Sequence, residues 1–209
     1  MISEKLLGHL KECILLYDEK NGNDYIIVFG KGKKDPVKYC HITFEQKNFW
    51  HLVGCQLDSN NHVEIYDQCK NGDDVSKEIS LVHSYSEAFN KCEVFRKVFD
   101  FVSNAKCIKI GYVADCPEEF YLTMALGNEI GIIGYDYIKN KRNFLIPKSV
   151  QSKKISSMSN ELNKIFCILS KKQNQKAYTK IEYEIKSGVS KEYLPLIYTD
   201  IEISDIDNL

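Results

Sequence analysis

Between His41 and His51 the chain places two imidazoles, Lys47, two amide side chains and the rings of Phe44, Phe49 and Trp50. Histidine can both take and give a proton near neutral pH, so two of them within one short span suit acid/base chemistry. The charge pattern adds a second ingredient. From Lys139 to Lys180 there are eleven Lys or Arg against a single acid, Glu161, while the rest of the chain holds seventeen bases against twenty-eight acids. A formal net charge of −1 therefore conceals one strongly basic tract of the kind that meets phosphates or nucleic acid. Lysine supplies nearly all of it, since Arg96 and Arg142 are the two arginines, which leaves few groups for bidentate phosphate recognition.

Other chemistries fit less well. Cys40, His41, His51 and Cys55 are four potential zinc ligands, and His51 with Cys55 has helical spacing. Adjacent Cys40 and His41 would point to opposite faces of a strand, however, so one tetrahedral site does not easily use both, and neither a metal nor another cofactor is expected. Gly30-Lys31-Gly32-Lys33-Lys34 lacks the spacing and the Ser/Thr of a phosphate-binding loop and reads as a hairpin turn. No Gly-x-Ser-x-Gly or His-Glu-x-x-His occurs.

These groups need a scaffold. With 209 residues and 44% apolar content the chain can bury one large core. It shows no repeat and no low-complexity linker, so residues 1–190 are expected to form one domain, with an acidic, loose tail over 191–209. Leu6, Leu7, Leu10, Cys13, Ile14 and Tyr17 predict a helix over 3–18. The runs 25–29 and 37–44 predict a hairpin, in which His41 alternates with Ile42 and Phe44 and Lys38 faces away from His41. Residues 58–75 read as a polar loop holding a short strand at 63–66. Ser86 is a candidate N-cap for a helix over 84–102. Runs at 108–113, 120–125, 130–137 and 143–146, with turns such as Cys116-Pro117 between them, predict an antiparallel meander. A helix over 159–170 and a strand over 176–186 complete the pattern. The class is α+β.

Eight cysteines without a CxxC pair read as reduced thiols, mostly in apolar runs, which favours the cytoplasm. No continuous apolar segment precedes the first helix or is long enough for a membrane span, so a soluble protein beginning at Met1 is expected.

The block Asn48-Phe49-Trp50-His51-Leu52-Val53-Gly54 follows an Ile-Thr-Phe strand, and Gly134-Tyr135-Asp136 and Ile146-Pro147-Lys148-Ser149 come much later. Together they resemble a phage-associated branch of the barnase–EndoU–colicin E5/D–RelE-like nucleases, whose Phe-x-His-Leu-Thr-Gly signature is matched except that Val53 replaces threonine, so no role for that hydroxyl carries over. The resemblance implies helices packed on a curved antiparallel sheet and metal-independent RNA cleavage, in a toxin or phage-conflict effector with a possible antitoxin or other protein partner. It casts His51 and His41 as the proton-transfer pair, Lys148 as the cation that steadies the phosphorane and Ser149 as a phosphate donor. Lys139, Lys141, Arg142, Lys153 and Lys154 would contact RNA. Trp50 would either stack a base or lie in the core. A different class stays open beside it, a catalytically silent module on the same fold that binds nucleic acid or inhibits another protein.

Overall fold

Ser3 precedes the first apolar repeat, and its Oγ accepts from the Leu6 N–H at 3.3 Å, which caps helix α1 (Glu4–Asp18). Leu6, Leu10, Cys13, Ile14 and Tyr17 recur at helical spacing and are all buried on one side. The computed structural model describes residues 2–32, 35–113, 122–138 and 141–193, the side chains at 141–143 excepted. The 194–209 tail, Lys33, Lys34, the Cys116-Pro117 turn and Phe120 therefore lie outside the described residues.

After α1 come β1 (Asn23–Gly30), β2 (Lys38–Thr43), the single turn α2 (Phe49–Leu52) and β3 (Cys55–Leu57). Next are α3 (His62–Asn71), β4 (Ile79–Leu81), α4 (Tyr85–Val98), β5 (Lys109–Tyr112), β6 (Met124–Gly127), β7 (Ile132–Ile138) and β8 (Lys141–Gln151). The last elements are α5 (Ile155–Met158), β9 (Leu162–Lys172), β10 (Lys180–Glu184) and α6 (Val189–Tyr193). Among the described residues, eight strands join in the order β1-β2-β8-β7-β6-β5-β9-β10, and β1 also pairs with β9. That second pairing closes the order on itself and forces the sheet to curl. All pairs are antiparallel except β2 with β8, and β3 and β4 form a separate two-stranded sheet. The α+β class and the meander β5-β6-β7-β8 agree with the sequence pattern.

Strand alternation gives the sheet two chemically different faces. One carries Ile27, Cys40, Ile42, Tyr135, Leu145 and Val150, which merge with α1, α3 and α4 in a continuous core. Here Tyr17 stacks on Phe99 at 5.4 Å and Phe99 on Phe95 at 4.2 Å. The opposite face carries Ile26, Val28, Cys167 and Leu169, covered by Tyr178, Val189 and Tyr193, with a small patch around Ala125 and Ile132.

Three local expectations are corrected. Residues 62–71 form helix α3: Ile65, Tyr66 and Cys69 are buried along one side and Gly72, at φ 93°, ends it in the left-handed conformation. The span expected as a helix over 159–170 is mostly strand β9. Its run Ile165-Phe166-Cys167-Ile168-Leu169 is buried on both sides of the sheet, which erases the two-residue alternation that marks a half-exposed strand. Ser84, not Ser86, caps α4, its Oγ accepting from the Glu87 N–H at 3.2 Å. The described cysteines are free thiols, all buried except Cys107, which is exposed although an apolar run surrounds it.

Candidate nuclease site

Phe49, Trp50 and Leu52 are fully buried, so the single turn of α2 turns its third residue, His51, outward. Phe49 anchors the turn through edge-to-face contacts with Tyr17, Tyr66 and Phe95. The chain then bends at Gly54, whose φ of 75° disfavours any side chain. A Cβ there would lie 3.2 Å from Lys91 Cδ, so the lysine stem from α4 runs directly against the bend. The Gly54 carbonyl accepts from the Val82 N–H at 3.1 Å, continuing the β3–β4 ladder. His83 follows at once, with its Nε2 3.9 Å from Glu87 Oε1, and Lys91 Nζ reaches the same oxygen at 3.4 Å.

Lys148 arrives from the sheet through an irregularity. Gly134 pairs with Ser149 but Tyr135 pairs with Pro147, so Lys148 is the extra residue of a bulge in β8. Bulges turn a side chain out of strict alternation, and Lys148 is exposed and close enough to act on the His51 ring. The His51 pKa is lowered first by desolvation in this corner, then by the positive fields of Lys91 and Lys148 and by His83. The His51 imidazole thus stands in the field of two ammonium groups, which can attract a phosphate diester while the ring accepts a proton from the ribose hydroxyl.

The other expected residues lie elsewhere. His41 pairs with Ile26 across β1 and β2 and so occupies the opposite face from α2. It is buried, its Nδ1 is 3.0 Å from the Tyr178 hydroxyl, and its ring is 5.0 Å from that of Phe144. Burial, and secondarily Lys171, push its pKa down to about 4. The expected His41–His51 pair is therefore divided by the sheet, because an odd-numbered β2 residue must face away from Cys40 and Ile42. Ser149 is likewise buried on that far face, where its Oγ accepts from Gln151 Nε2 at 3.4 Å. Trp50 is 1% exposed and belongs to the core, with no partner for its Nε1 among the described residues.

Among the described residues, the basic tract is scattered rather than gathered. Lys153 and Lys154 are exposed just before α5, the latter 4.0 Å from Glu129. Lys139 lies outside the described residues, as do the side chains of Lys141 and Arg142. Lys171 sits on the far face beside Asp24 and over the Tyr178 ring. Lys38 does face away from His41; it pairs with Glu161 at 3.4 Å and lies 5.1 Å from the Tyr112 ring. No group of three or more His, Cys, Asp or Glu side chains among the described residues is arranged to hold a metal. Among those residues no helix is long and apolar enough to cross a membrane.

His83, Glu87 and Lys91 were not singled out from the sequence. The spacing of the three, four residues apart from just before α4 into its second turn, was legible. Their approach to His51 was not, since it depends on the β3–β4 pairing. No curated protein and no solved structure matches the chain. A family model does match, over residues 9–187, from the middle of α1 past the end of β10 and across every element of the site, and the chain belongs to that family, the phage-Barnase-EndoU-ColicinE5/D-RelE like nuclease4.

Proposed function

We propose that the protein is an endoribonuclease that cleaves RNA by attack of the ribose 2′-oxygen on the adjacent phosphorus, without a metal. His51 takes part in proton transfer, and Lys148 and Lys91 neutralise the charge that builds on the phosphorane oxygens. The new 2′-O–P bond forms as the P–O5′ bond breaks, leaving a 2′,3′-cyclic phosphate and a 5′-hydroxyl. The observation that carries this proposal is the exposed His51 ring standing in the combined field of Lys91 and Lys148. His41 and Ser149, buried on the far face of the sheet, take no part.

The phage link in the family description supports a role as a toxin or phage-conflict effector that acts on cytoplasmic RNA and is restrained by an antitoxin or similar protein. Incubation of purified protein with end-labelled RNA in EDTA tests the chemistry. Cleavage by the wild type that His51→Ala lowers by about 100-fold or more supports it. Intact RNA with retained binding would instead mark a silent binding module.

A further inference from the structure

Transesterification moves two protons, one off the ribose 2′-oxygen and one onto the departing 5′-oxygen, and so calls for a second group beside His51. Of the chain's other histidines, His41 is walled off on the far face and His9 faces Glu12 and Glu93 from α1. His62 opens α3. His83 is the one tied to the site: the bond from Val82 N–H to the Gly54 carbonyl joins the segment three residues after His51 to the segment one residue before His83. Its side chain is 55% exposed, and Glu87 bridges it to Lys91.

We propose that His83 is the second proton-transfer residue of the site, the general acid, held in place by Glu87, with the scissile phosphate seated between the two imidazoles and against Lys91 and Lys148. The assignment rests on the ribonuclease function proposed above. His51, kept neutral by its surroundings, removes the 2′-proton. The 2′-oxygen bonds to phosphorus, the P–O5′ bond breaks, and the proton on His83 passes to the 5′-oxygen. His51 leaves the step protonated and His83 neutral, and exchange with water restores both. Glu87 acts as a positioning residue, since its carboxylate contacts the imidazole and Lys91.

A general acid is needed only when the leaving group is poor. The test compares RNA with a ribonucleoside 3′-(4-nitrophenyl phosphate), whose leaving group departs as a stable anion without taking a proton. His83→Gln is expected to lower kcat/KM on RNA by about 100-fold while staying within a few-fold of wild type on the activated ester. His51→Ala is expected to fail on both substrates, and Glu87→Gln to shift the pH profile on RNA. Wild-type rates on RNA for His83→Gln overturn the assignment, as does an equal loss on both substrates. Wild-type protein that cleaves neither substrate overturns the ribonuclease function itself, a result separable from the other two.

Discussion

The Gly54 carbonyl and the Val82 N–H, 28 positions apart in the chain, meet at 3.1 Å, and this contact brings the outward turn of α2 up to the N-terminus of α4. Through it, the segment that follows His51 is joined to the segment that holds His83 and leads into α4.

Gly54→Ala is expected to be costly for two reasons. Alanine at φ 75° is strained, and its Cβ would press on Lys91 Cδ at 3.2 Å. The left-handed conformation costs about 1–2 kcal/mol, so a lowered Tm should accompany loss of activity out of proportion to the stability change. Thermal melts paired with cleavage assays below the transition check this; an unchanged Tm would contradict the constraint assigned to the bend.

Lys148→Gln removes an exposed cation whose field lowers the His51 pKa. The His51 pKa should therefore rise in the variant, visible in an NMR titration of its ring, while turnover falls by about 100-fold with little change in stability. A His51 titration indifferent to the substitution would place Lys148 outside the site.

His41 should govern acid stability and not catalysis. Its folded pKa is depressed from 6.5 to about 4, so between these values the unfolded chain binds the extra proton. Its contribution is complete above pH 6.5 and is lost as pH falls toward 4, worth up to about 3 kcal/mol by linkage. Denaturant melts across that range should show stability rising with pH, and His41→Gln should flatten the slope. Cleavage lost in a folded His41→Gln variant would restore His41 to the mechanism.

Trp50 is the chain's single tryptophan and is 1% exposed. Its emission should be blue-shifted, resist acrylamide and stay unchanged on addition of RNA. Quenching by RNA would mean that the ring stacks on bases.

Much of the scaffold was legible because its elements carry unambiguous periods: α1 through Leu6, Leu10 and Tyr17, α4 through Cys92, Phe95 and Val98, and the β5 to β8 meander through its turns. β9 was not, because Ile165 to Leu169 are buried on both sides and a fully buried strand keeps no two-residue period. Within the site, His51 and Lys148 stood out in the sequence, but β-sheet alternation separates His41 from them, and it could be applied only within β2, where it correctly set His41 against Ile42. Its consequence across the sheet required knowing which face the helices cover. His83 stayed hidden because its segment is joined to that of His51 only through a two-stranded ladder of three-residue strands.

The central claim, that His51 and its neighbours cleave RNA through the 2′-oxygen, is tested most directly by mass spectrometry of the 3′ ends left on a defined oligoribonucleotide in chelator. The expected products carry 2′,3′-cyclic phosphate, appear with wild type and all but vanish with His51→Ala, while the matching 2′-deoxy oligonucleotide stays intact. Cleavage of the deoxy strand, or 3′-hydroxyl ends on the RNA, would contradict it.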